Sequence, residues 1–202
     1  MAYQSVASPS SFQQKIKRSS FDCFLFPISS AQEAQEIISA HNRDHANATH
    51  NCFAYICGYE RETQYYSDAG EPHGTAGKPI LNALLRGGMT NVLAIVTRHY
   101  GGIKLGVKGL IEAYGGTCEL ALARAEKIVS SKKSRFRVAL DYALADHLLN
   151  LVNSLRGDIL ETQWGKMVNL TLSVPEKEAG ALREFLDGYK GQSRLDYSEE
   201  EV

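Results

Sequence analysis

The sequence predicts an α+β protein of two domains. Three observations carry that prediction. Short apolar strand patterns are interleaved with helical patterns along the 202 residues. Glycine is concentrated, with 11 of the 17 glycines in residues 70–116 and five in residues 128–202. Where glycine thins out, a new run of elements begins in the order βαββαβ. The predicted domains are residues 1–130 and 131–202, with the boundary between about Lys127 and Ser134. A chain of this length can bury sizeable cores without disulfide or metal staples.

A first strand lies within Gln14 to Ile28 and ends near Pro27, basic at first (Lys15, Lys17, Arg18) and apolar later (Phe21, Phe24, Leu25, Phe26). Ser30 and Glu33 have capping-box spacing, and Ala31 to His41 follows as a helix with Ala34, Ile37, Ile38 and His41 on one side. Asn42 to His50 is polar and reads as a loop. Asn51 to Tyr59 and Thr63 to Ser67 read as a hairpin turning at Glu60-Arg61-Glu62. A glycine-rich loop, Asp68 to Lys78, comes next. Pro79 suits the first turn of a helix that covers Ile80, Leu81, Leu84 and Leu85 and stops at Gly87-Gly88. Asn91 to Tyr100 is a continuous apolar strand. A second glycine-rich loop, Gly101 to Gly106, leads into a helix from about Val107 to Lys127, with Leu110, Tyr114, Thr117 or Cys118, and Ala121 on one face.

The second domain begins with a strand over Ser134 to Tyr142 and a helix over Asp146 to Leu155. Strands over Asp158 to Trp164 and Met167 to Val174 join at Gly165-Lys166. A helix follows Pro175 and runs to about Tyr189, and a last strand lies near Gln192 to Tyr197. This order is the ferredoxin-like pattern. Ser198 to Val202 reads as an acidic tail that frays.

Lys and Arg number 22 against 23 Asp and Glu, a formal net charge of −1. That balance excludes a nucleic-acid binder working by bulk charge and leaves room for a local basic face. The first domain carries +1 and the second −2, so the first is better placed for an anionic partner. No apolar run approaches a bilayer span, and no membrane partner is expected. Met1 to Ser11 lacks the basic start and apolar stretch of a secretory signal. Cys23, Cys52, Cys57 and Cys118 then read as reduced thiols, and the protein as cytoplasmic.

The two glycine-rich loops carry the candidate chemistry. The first, Ser67-Asp68-Ala69-Gly70-Glu71-Pro72-His73-Gly74-Thr75-Ala76-Gly77-Lys78-Pro79, ends at a predicted helix N-terminus, which favours anions, and Lys78 adds a positive charge. It does not fit a nucleotide P-loop. Pro72 stands where the first glycine is needed, and Pro79 stands where a hydroxyl should follow the lysine. The second loop, Arg98-His99-Tyr100-Gly101-Gly102-Ile103-Lys104-Leu105-Gly106, lacks the dinucleotide fingerprint. Basic groups beside aromatics hold phosphates and stack bases. The predicted binding residues are therefore Lys78, Arg98, His99, Tyr100, Lys104 and Lys108. Gly70, Gly74, Gly77, Gly101, Gly102 and Gly106 are predicted to shape the loops. Asp68, Glu71 and His73 form an alternative acid–base set, in competition with plain turn-stabilising roles. His50, Cys52 and Cys57 lack the paired spacing of a zinc site, so neither metal nor cofactor is expected.

The two loops in register, with His50-Asn51-Cys52 before them and Glu112-Ala113-Tyr114-Gly115-Gly116 after, resemble the YigZ/Impact family. The resemblance is strong over about Gln14 to Lys127, and beyond that it rests on element order and length. It implies a first domain of the ribosomal S5 domain 2-like type and a second like the ferredoxin-like C-terminal module of elongation factor G. It further implies a link to translation, since eukaryotic relatives regulate translation by binding a partner of an initiation-factor kinase. This sequence departs from the usual family pattern at Ser20, Asn51, Ala69, His99 and Val107-Lys108, and the last departure adds a positive charge.

The expected function is a translation-associated protein that binds RNA or the ribosome and translation factors, with no catalysis assigned. A small-molecule phosphate-binding enzyme, such as a hydrolase using Asp68, Glu71, His73 and His99, is the first alternative. A protein-interaction module in translational regulation is the second.

Overall fold

The computed structural model describes residues 2–190 and 194–200. Contacts divide the chain into two units, Met1–Ser130 and Ser131–Val202. The first runs β1 (Ala2–Val6), β2 (Ser10–Ile16), β3 (Ser19–Pro27), α1 (Ala31–Asp44), β4 (His50–Cys57), β5 (Thr63–Ser67), α2 (Gly77–Arg86), β6 (Val92–His99), α3 (Gly106–Arg124) and β7 (Lys127–Ser131). β2, β3, β6, β4 and β5 lie side by side in that order as one antiparallel sheet, and β1 pairs with β7 separately. β6 is central and buried on both faces, so Val92–Val96 reads as an unbroken apolar run.

The pleat sends alternate residues to opposite sides. Phe21, Cys23 and Leu25 of β3 join α2 and α3 in one core, whereas Phe53, Tyr55, Leu93 and Ile95 pack against Ala34 and Ile38 of α1 in another. Ser30 caps α1 through its hydroxyl, which accepts from the Glu33 N–H at 3.1 Å. The Glu33 carboxylate reaches back to the N–H and hydroxyl of Ser29, one residue earlier than a standard capping box.

The second unit runs β8 (Lys133–Leu140), α4 (Tyr142–Ser154), β9 (Asp158–Trp164), β10 (Val168–Pro175), a 3₁₀ turn (Glu176–Glu178), α5 (Ala179–Lys190) and β11 (Leu195–Glu200). Its antiparallel sheet has the order β11-β8-β10-β9. Phe136, Leu140, Leu148, Leu172 and Leu186 lie at the centre of its core.

Several elements differ from the sequence expectation. The strand expected within Gln14 to Ile28 is β3, which ends at Pro27, but the basic residues before it are not part of that strand: Lys17 and Arg18, at φ 43° and 69°, turn the chain in a hairpin with β2. The polar N-terminal segment contains β1. The long helix stops at Arg124, where Ala125 is extended, and Lys127 begins β7 instead of ending the helix. α4 starts a turn earlier than Asp146, so Tyr142 is helical rather than the end of a strand. α5 begins only at Ala179, after the 3₁₀ turn. Ser198, Glu199 and Glu200 are not a frayed tail. They pair with β8, and Arg137 meets the Glu200 carboxylate at 2.7 Å. Gln192 and Ser193 of the expected last strand, and Glu201 and Val202 of the tail, lie outside the described residues.

Candidate nucleic-acid interface

The first glycine-rich loop folds around its own acidic side chains. Asp68 accepts hydrogen bonds from the backbone N–H of Gly74 at 2.8 Å, Ala76 at 3.0 Å and Gly77 at 2.9 Å. Partial burial opposes its charge, but those three donors outweigh burial and hold the carboxyl below its ordinary pKa. Its carboxylate therefore occupies the start of α2, the place where the sequence suggested an external phosphate. Lys78 is exposed on that first turn.

Glu71 is turned inward. It accepts from Arg98 Nη1 at 2.5 Å and from the Tyr114 hydroxyl at 2.8 Å. Its other oxygen lies 4.0 Å from His50 Nε2, and His50 Nδ1 meets the Ala69 carbonyl at 2.9 Å. Burial raises the pKa of the Tyr114 hydroxyl, and burial pushes the neighbouring Cys52 thiol up to about 12. Cys52 donates to the Asp68 carbonyl. This set is a buried scaffold that ties the first glycine-rich loop to β4, β6 and α3.

These contacts correct the reading of Arg98 and Glu71. Arg98 does not lie on a solvated loop beside His99. It is still inside β6, only 5% exposed, and points with Phe21 toward the α2–α3 core, while His99 projects from the opposite face. Its charge is taken up by Glu71, so it is not a free phosphate contact. Glu71, 8% exposed, is likewise withdrawn from acid–base work in solvent. His73 is solvent-exposed, 3.8 Å from Asp68, so the expected acid–base set is divided between a buried group, a capping group and a surface group.

The second loop presents a basic and aromatic surface. Tyr100 is 45% exposed, and its backbone N–H donates to Thr49 Oγ1 at 2.9 Å. Lys104 and Lys108 are exposed, and Lys108 stands 3.8 Å from Glu112 in a solvated pair. The fold adds two cations that the sequence reading left out of the site. The β2–β3 turn brings Lys17 and Arg18, both exposed, against Gly101, whose N–H donates to Ser19 Oγ at 3.2 Å. A Cβ at Gly101 would overlap the Arg18 carbonyl, so only glycine permits this approach. Among the described residues, Lys17, Arg18 and Lys104 have no carboxylate within 4.0 Å. The run Lys15-x-Lys17-Arg18 is the signal available in the sequence, and taking it as the basic start of a strand hides the turn. Of the remaining loop glycines, Gly70, Gly74, Gly102 and Gly106 have positive φ, and Gly77 lies against the Ser67 backbone.

Residues 17–122 match the Impact N-terminal domain family. The chain belongs to the IMPACT family. The IMPACT family member YvyE of Bacillus subtilis is 35% identical over 185 residues, which cover 92% of this chain and 85% of that protein. YigZ of Escherichia coli, another IMPACT family member, is 31% identical and the alignment covers 84% of each. A crystal structure of a hypothetical protein superposes with a TM-score of 0.70 at 28% identity, covering 97% of this chain and 96% of its own. No helix among the described residues is long and apolar enough to cross a membrane.

Proposed function

We propose that this IMPACT family protein is a cytoplasmic, translation-associated RNA-binding protein, and that its RNA contacts lie at the end of the first sheet. The observation that carries the proposal is one surface formed by two segments far apart in the chain. The β2–β3 turn supplies Lys17 and Arg18, the second loop supplies Tyr100 and Lys104, and the first turn of α3 supplies Lys108. Exposed cations on the same loops as an exposed aromatic, with Lys17, Arg18 and Lys104 free of carboxylates within 4.0 Å among the described residues, suit phosphates and a base. The fold analogy points the same way, with the first unit read as ribosomal S5 domain 2-like and the second as ferredoxin-like, similar to the C-terminal module of elongation factor G. The acid–base groups of the first loop serve its architecture, and no catalysis is assigned to them.

The test is RNA affinity across several salt concentrations. Wild-type protein should bind at low salt, and each lost phosphate contact should flatten the salt dependence by about one unit of slope. Lys104→Ala/Lys108→Ala should therefore lower the slope by about two. Absence of binding at about 100 μM and low salt would defeat the RNA reading. An unchanged slope in the double variant would move the RNA elsewhere on the protein. Ribosomal association that survives RNase would favour a protein partner instead.

A further inference from the structure

Tyr100 is the outermost member of a stack that begins in the core. The Tyr114 ring meets Phe21 edge-on, with centroids 5.2 Å apart. The Arg98 guanidinium carbon lies 5.4 Å from the Phe21 centroid and 5.2 Å from the Tyr100 centroid. Both distances fall within cation–π range. Glu71 binds Arg98 and Tyr114 together, so the inner layers cannot shift independently. Thr49 holds the Tyr100 backbone. Tyr100 is the exposed end of this series, and no other ring or cation among the described residues packs on it.

Resting on the RNA reading above, we infer that the RNA accepted here is single-stranded, with one unpaired base stacked on the solvent side of Tyr100 as the next layer. In a duplex both faces of a base are covered by its neighbours, and the A-form groove offers shape, phosphate and 2′-hydroxyl contacts instead. An exposed ring face gains nothing from such a surface but gains a full stacking partner from an unpaired base. The buried Arg98–Glu71 pair holds the platform before any ligand arrives, so little ordering remains to be done on binding. Lys17, Arg18 and Lys104 then meet the phosphates flanking that base.

The experiment compares a short single-stranded RNA carrying one 2-aminopurine with the same strand annealed to its complement. Wild type should favour the single strand and quench its fluorophore. Tyr100→Ala should weaken single-strand binding roughly 5- to 150-fold, leave the salt slope unchanged and abolish the quenching. Tyr100→Phe, which keeps the ring, should retain both affinity and quenching. Equal affinity for the two forms overturns the inference, and so does a single-strand preference that survives Tyr100→Ala; both leave the RNA reading standing. Failure to bind either form defeats the RNA reading itself.

Discussion

His41 sits between α1 and the sheet with its ring stacked on His45, centroids 4.1 Å apart. Its Nε2 lies 2.8 Å from Thr97 Oγ1, and the Thr97 hydroxyl donates to Asn51 Oδ1 at 2.9 Å. The Thr97 oxygen therefore accepts from Nε2–H, which assigns the neutral tautomer. Burial first, and then the nearby His45, push the His41 pKa down to about 4, with Asp44 acting in the opposite sense. An unfolded histidine titrates near about 6.5. Between those values the unfolded chain binds more protons than the folded one, so lowering the pH through this window destabilises the protein, and above it the effect of His41 is flat. Thermal melts from pH 4 to 8 should show wild type losing up to about 1.4 kcal/mol per pH unit through His41, and His41→Gln losing less. Parallel curves for the two proteins would refute this. At this scale the sequence was partly readable. It placed His41 on the apolar side of its helix and singled out Tyr100, Lys104 and Lys108. It could not show that Arg98 has a buried partner, because Glu71 lies 27 residues away and their meeting depends on the sheet.

Among the elements, the β2–β3 hairpin shows most clearly what a local pattern conceals. A two-residue turn with both residues at positive φ favours Asn-Gly, and Lys17-Arg18 carries no such signal. The turn is therefore not legible locally, although β3 falls within the Gln14 to Ile28 range where a strand was expected. Lys17→Asn/Arg18→Gly should relieve backbone strain and raise stability by about 1 kcal/mol. The same change removes two cations from the proposed interface and should lower the salt slope of RNA binding. Denaturant unfolding and binding titrations on that one variant should move in opposite directions; tighter RNA binding, or lower stability, would contradict the account. β5 and β9 were readable to the residue because polar turns bound them on both sides. β1 and β7 were not, since each is short and its partner lies at the other end of the first unit.

For the molecule as a whole, contacts divide the chain after Ser130, in the stretch where glycine thins out, whereas the pairing that closes the first unit has no local signal in the sequence. Since β7 continues to Ser131 and holds β1, a fragment of residues 1–131 should unfold cooperatively on its own, and one ending at residue 126 should be less stable. Calorimetry of the two fragments decides this, and a broad non-cooperative transition in the longer one would count against it. The placement of the sulfur atoms and the indole makes the same question answerable in the intact chain. Cys23, Cys52, Cys57 and Cys118 are all free and buried, and all belong to the first unit. The sole tryptophan, Trp164, lies in the second, stacked on Tyr142. Thiol alkylation therefore times the opening of the first unit alone, while indole emission follows the second, and a single sample in rising denaturant yields two independent stability curves without any label being introduced.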